Sequence, residues 1–145
     1  MKKYIITAVY RRSKTEYKID IFADEAERGP YVFLTTFIKE NRYNTGDLCY
    51  FKAFQKLRDQ ILADGYALSC CGALKNAVQT EEQKKSDKIY LAELGENLSS
   101  ENEVSIFDFA AVEKYTDTYE QDKFYSKWIK SLKNQNKKQE NSNEI

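Results

Sequence analysis

Histidine is absent from the 145-residue chain. Without an imidazole, Ser/His/Asp and Cys/His catalysis in their usual forms are excluded, and so is every His-ligated metal site. Glycine is scarce: five residues, at 29, 46, 65, 72 and 95, none clustered. Neither Gly-rich phosphate-binding pattern occurs. No apolar run approaches the roughly 18 residues that a membrane-spanning helix needs. Net charge is also lacking, with 23 Lys and Arg against 23 Asp and Glu. That removes the argument for a nucleic-acid coat or a polybasic membrane anchor. The three cysteines, Cys49, Cys70 and Cys71, are odd in number and form no C-x-x-C motif. They read as buried free thiols, since an unpaired Cys packs as a small hydrophobe. No carboxylate pair stands in an apolar context, and Asp108, just past a strand, reads as a turn residue rather than a Mg²⁺ ligand. The expectation is a protein that is not an enzyme, with no cofactor, no metal and no small-molecule substrate.

What is present is enough for a core. Apolar residues make up 41% and aromatics 14%, which excludes disorder throughout. The length is that of one domain able to stand without metals or disulfides. The start, MKKYIITAVYRR, has basic residues but an apolar run of only residues 5–10, cut off by Arg11 and Arg12. A secretory leader needs a longer run and a small-residue cleavage site, so the reading is a mature cytoplasmic protein.

Residues 2–12 and 16–24 read as two strands around a Ser13-Lys14-Thr15 turn. The second alternates Tyr17, Ile19, Ile21 and Ala23 against Glu16, Lys18, Asp20 and Asp24, the period-two signal of a half-buried strand. Residues 31–38 follow as a central strand, and 41–46 as a polar loop. An amphipathic helix then carries Tyr50, Phe51, Phe54, Leu57, Ile61 and Leu62 on one side, with Lys52, Gln55, Lys56, Arg58 and Asp59 on the other. Thr45 or Asp47 is its expected cap, and Gly65 suits the left-handed position past its end. Residues 66–72, 88–94 and 103–107 read as strands, and 74–87 as a solvated loop with a helical turn. Thr118-x-x-Gln121 fits a capping box opening a second helix, with Gln121, Phe124, Tyr125, Trp128, Ile129 and Leu132 on one side. The order is β-β-β-α-β-β-β-α. The expected fold is α+β: a mainly antiparallel sheet of five to six strands with two amphipathic helices packed on it. The domain spans residues 1–133, and 134–145 is a polar tail expected to be disordered.

Charge is unevenly spread. Residues 93–122 hold nine acids (Glu93, Glu96, Glu101, Glu103, Asp108, Glu113, Asp117, Glu120, Asp122) and one base, Lys114, a net of −8. Residues 123–138 hold six lysines and no acid. Two solvated faces and a helix matched to its dipole would account for this. An acidic surface that steers a cationic protein partner would also do so. Tyr115 and Tyr119 lie inside the acidic stretch, and aromatics within a charged rim are typical of protein-binding surfaces. Glu113, Tyr115, Asp117, Tyr119 and Glu120 are therefore the candidate partner-binding residues.

Two segments carry a resemblance. One is GDLCYFKAFQKLR at 46–58, running on through DGYALSCCGA at 64–73. The other is VSIFD at 104–108, followed by EQDKFYSKWIKSL at 120–132. Together they resemble small bacterial immunity proteins of the contact-dependent growth inhibition, or polymorphic toxin, type. The likeness covers residues 46–132 and rests on scaffold rather than catalytic motifs. It departs at 74–88, which is rich in Gln, Glu and Lys where relatives have arginines and a Pro/Gly/Met-containing loop. No role is carried over for that loop. The resemblance implies an immunity protein that binds one cognate toxin C-terminal domain and covers its active site. Many such toxins are nucleases, whose clefts are basic because they hold phosphates. The alternative is a non-catalytic regulatory or adaptor module binding another protein or RNA. For RNA, the first strand offers Tyr4 and Tyr10 beside Lys2, Lys3, Arg11 and Arg12. Neither reading involves a membrane.

Overall fold

Alternation of apolar and polar side chains builds the first hairpin. In the computed structural model, which describes residues 1–143 and side chains to residue 135, β1 (Lys2–Tyr10) pairs antiparallel with β2 (Glu16–Glu25), Ile6 opposite Ile19 and Ala8 opposite Tyr17. β3 (Val32–Ile38) follows. A tight turn, with Lys39 at a left-handed φ of 55°, leads into β4 (Asn41–Asp47). The sequence reading took 41–46 for a loop, and the structure corrects it. Tyr43 and Thr45 alternate inward there, Tyr43 into the main core, and both are also held by polar bonds. Tyr43 Oη donates to Asp64 at 2.6 Å and Thr45 Oγ1 to the Ala53 carbonyl at 2.8 Å. A polar, Gly-bearing edge strand carries none of the β-branched signal that marks a central one.

α1 (Tyr50–Ala63) covers one face of this sheet, burying Tyr50, Phe51, Ala53, Phe54, Leu57, Arg58 and Ile61. Neither expected cap is used. Cys49 sits at the N-cap without a side-chain bond, and Asp47 instead pairs with Lys56 at 2.8 Å. Gly65 does end the helix, at a φ of 96° that a side chain would strain. β5 (Tyr66–Leu68) then returns antiparallel beside β1, giving the sheet order β4-β3-β2-β1-β5. Ile6, Ile21, Leu34 and Ile38 from the strands meet Phe54, Leu57 and Ile61 from the helix as the main core.

The rest of the chain forms a second antiparallel sheet rather than extending the first. β6 (Ala77–Val78), β7 (Lys88–Leu91) and β8 (Glu103–Ser105) lie in that order. Residues 74–87, read as a loop with a helical turn, contain the short strand β6 and a single 3-10 turn at Glu81–Gln83 under a Thr80–Gln83 capping box. Backbone bonds staple this unit to the first: Gly72 N–H donates to the Ile106 carbonyl and Cys71 N–H to that of Asp108, both at 2.8 Å. α2 (Thr118–Asn143) packs on this second unit, not on the five-stranded sheet. Trp128 is buried with Val78 and Ala92, flanked by Leu98, Phe124, Ile129 and Leu132. Its indole N–H donates to the Glu96 carbonyl at 2.9 Å. The expected α+β fold, a mainly antiparallel five-stranded sheet with two helices, is present, with a second three-stranded sheet added. Ile106 and Phe107 of that unit share the main core with α1, and α2 packs on the added sheet. The backbone of α2 continues through 134–143, past the Leu132 that ends its apolar stripe. Of the expected disordered tail at 134–145, residues 144 and 145 lie outside the described residues, as do the side chains from 136 on.

Three tyrosines tie the layers together through carboxylates. Tyr4 Oη donates to Asp87 at 2.9 Å, Tyr43 to Asp64 at 2.6 Å and Tyr50 to Glu25 at 2.7 Å. Burial first, and then the neighbouring carboxylate, disfavours each phenolate. All three pKa values are raised, that of Tyr43 to about 12. An unfolded tyrosine ionises near ~10, so these pairs stabilise fully below that pH, and Tyr43's share is lost as pH rises through about 12. Urea midpoints should hold steady from neutrality to pH ~10 and fall above it. Tyr43→Phe should show a smaller fall. An identical alkaline profile in that variant would contradict the assignment.

Candidate functional site

The start of α2 is placed by a buried polar cluster on α1. Arg58 is only 2% exposed and Gln121 only 3%. Arg58 Nη2 donates to Gln121 Oε1 at 2.7 Å, and Gln55 Nε2 donates to the same oxygen at 2.9 Å. Gln121 Nε2 in turn donates to the carbonyls of Gly72 (2.9 Å) and Leu74 (2.8 Å). Arg58 Nε also binds Asp59 Oδ1 at 2.8 Å, and the same oxygen accepts the Thr118 N–H at 3.2 Å. Sequence reasoning put Arg58 on the solvent side. Its spacing shows the fault: Arg58 lies four residues after Phe54 and three before Ile61, which is the apolar face of the helix.

A linker at 109–117 leads from the second sheet to this cluster. Asp108 is a satisfied turn residue, its Oδ2 accepting the Ser105 N–H at 3.0 Å. Asp117 is the cap of α2, its Oδ1 accepting the Glu120 N–H at 2.9 Å, in place of the capping box expected from Thr118. Between them Tyr115 is clamped to the β1–β2 turn. Lys14 Nζ donates to its hydroxyl at 2.7 Å, and the Arg11 guanidinium lies 4.2 Å from its ring centre. The Lys14 hydrogen bond, with both cations behind it, lowers the Tyr115 pKa.

This arrangement opens a cleft of about 580 Å³ between the linker, Leu62 of α1 and residues 74–76. Glu113, Tyr115, Asp117 and Glu120 all line it, together with Lys75 and Lys114. Four of the five sequence-predicted residues are therefore brought together. Tyr119 is not: it is 66% exposed and lies off the cleft, under Lys123 Nζ at 5.3 Å from its ring centre. Asp117 lines the cleft but is already engaged as a cap, so Glu113 and Glu120 are the acids whose side chains remain for a partner.

Sequence reasoning missed the basic half of the site. Tyr115 also borders a second cleft, of about 540 Å³, with Arg11 and Arg12. These residues are about a hundred positions away in the chain, so no local pattern joins them. Exposed Phe109, beside Asp108, was also missed. The first strand does not offer a base-stacking platform through Tyr4 and Tyr10. Both point inward, Tyr4 stacked on Phe107 at 4.1 Å and Tyr10 against Tyr66 at 5.1 Å.

Chemistry around the thiols is quiet. All three cysteines are free and buried. Burial pushes the Cys70 thiol up to about 12 and raises Cys71 as well, so neither is a ready thiolate. Among the described residues no three Cys, Asp or Glu side chains gather as a metal site, and no helix is long and apolar enough to cross a membrane.

The clamp has a spectroscopic signature. The phenolate absorbance lost in Tyr115→Phe should titrate below the ordinary tyrosine value of ~10. In a Lys14→Met background the same step should move upward. An unchanged step in that background would mean that Lys14 does not hold the hydroxyl.

Compared with known proteins, the chain matches no protein-family model and no curated protein.

Proposed function

We propose that this chain is a non-catalytic binding protein of the immunity type, which neutralises a toxin domain by covering its basic active site. The observation that carries the reading is the convergence of Glu113, Tyr115, Asp117 and Glu120 on one open cleft. A half-buried aromatic beside carboxylates suits a lysine or arginine from a phosphate-binding surface, because the ring packs on the side-chain stem while the acid meets its charge. Exposed acids at Glu93, Glu96 and Glu101 extend the negative field that would steer such a partner. A cytoplasmic setting belongs to this proposal, and three free thiols are compatible with it. The resemblance at 46–58, 64–73, 104–108 and 120–132 supplies the choice of a toxin over other basic proteins. It maps onto α1, β5, β8 and α2, of which α1 and α2 border the cleft through Leu62 and Glu120.

The test pairs the purified chain with the C-terminal domain of a secreted toxin encoded beside its gene. Glu113→Lys with Glu120→Lys should slow association roughly 10-fold or more at low salt and flatten its salt dependence. Asp117 is left intact because its loss alone costs about 1 kcal/mol through the helix cap. Melting temperature should stay near that of the parent chain. Unchanged association and unchanged protection of cells would place the binding face elsewhere.

A further inference from the structure

The face of the five-stranded sheet opposite α1 is open. Strand alternation puts Lys3 and Ile5 of β1, Asp20, Phe22 and Asp24 of β2, Phe33 and Phe37 of β3 and Arg42 of β4 on it. Ile5 is 62% exposed, Phe37 51% and Phe33 41%. The Phe33 ring lies down across β4, where a Cβ on Gly46 would fall 2.8 Å from it. Tyr31 stacks on Phe33 at 5.9 Å. Contiguous aromatic surface of this kind on a folded domain marks an interaction site.

Register shows what the surface fits. Each apolar residue stands directly across from a charged one: Phe22 from Lys3, Ile5 from Asp20, Phe33 from Asp24 and Phe37 from Arg42. Two of those charges are positive and two negative. Among the described residues Lys3, Asp20 and Arg42 form no salt bridge within the chain. A nucleic acid or an anionic bilayer calls for one sign of charge. A two-fold interface instead sets one patch against itself, so the charges in it are matched when both signs are present. Sheets pack face to face about 10 Å apart with their side chains interdigitated.

We propose that a second copy of this chain covers the open sheet face, forming a symmetric dimer through Ile5, Phe22, Phe33 and Phe37 with Lys3 and Arg42 meeting Asp20 and Asp24 across the axis. No residue of β1–β4 lines the cleft of Glu113 and Glu120, so none of the open-face residues belongs to it. Dimerisation leaves it open in both copies.

Sedimentation of the full chain over a concentration series tests this. The expected mass is twice the 17.0 kDa of one chain, falling toward one chain on dilution. Ile5→Glu with Phe37→Glu should give the single-chain mass at every concentration with melting temperature retained. A charge exchange keeps the test decisive if that variant folds poorly. Asp20→Lys with Asp24→Lys, and Lys3→Glu with Arg42→Glu, should each be monomeric alone and should form a mixed dimer when combined, seen by native mass spectrometry. Single-chain mass for the parent at all concentrations overturns the proposal, whether or not the chain then retains single-stranded RNA or anionic vesicles. So does failure of the two charge variants to pair.

Discussion

A guanidinium withdrawn from water needs partners where it lies, and in this fold Arg58 finds them in Gln121 at Nη2 and Asp59 at Nε, while its buried Nη1 has no hydrogen-bond partner among the described residues. The Gln121 carboxamide is saturated. Its oxygen takes Arg58 and Gln55 of α1, and its nitrogen gives to the carbonyls of Gly72 and Leu74. One side chain of α2 thus grips α1 and the turn that follows β5. Buried charge left without its partner costs several kcal/mol, so the start of α2 has little freedom to move. Apolar contact gives no comparable constraint at this point. The hydrophobic cluster on α2 lies farther along, around Trp128, where the indole N–H also binds the Glu96 carbonyl.

The placement of that first turn determines what the linker before it can do. With Thr118 held at Asp59, Asp117 is in position to cap, and Tyr115 reaches the β1–β2 turn where Arg11 and Lys14 receive it. An acidic cleft and a basic cleft then share one tyrosine as their boundary. The net −8 of residues 93–122 is therefore not a single free acidic face. Asp117 is spent on a helix cap, Asp108 on a turn, and Glu103 on Gln83, whose Nε2 lies 2.8 Å away. Exposed Glu113, with Glu120 at the cleft wall, is what a cationic partner would meet at close range.

Much of the scaffold was legible in the sequence because it obeys local rules. Period-two alternation located β2, with β1 read as its hairpin partner, an apolar and Thr-rich run located β3, the apolar stripe located α1, and Gly65 marked its end. The burial of Trp128 and of the three thiols followed from spacing and residue type. The errors share a cause: polar residues doing structural tasks. β4 reads as a loop because Tyr43 and Thr45 hold it through hydrogen bonds. Arg58 reads as solvated because it is charged, although its position on the helix is apolar. Gln121 was placed on the correct side of α2, but its role depends on groups 47 to 66 residues away. The candidate site was legible in part for the same reason. Four residues close in sequence could be grouped from charge and aromaticity. Their neighbours Arg11, Arg12 and Lys14 required the fold to bring the first hairpin alongside.

The most direct test of this account is a double-mutant cycle between Arg58→Met and Gln121→Leu, read by urea unfolding of the full chain. If the pair is the joint that places α2, each single change leaves a buried polar group stranded and the double change relieves both. The coupling energy should then be about 2–3 kcal/mol, with the double variant far less destabilised than the sum of its parents. Additivity within about 0.5 kcal/mol would contradict it. The position of α2 would then rest on the Trp128 cluster alone.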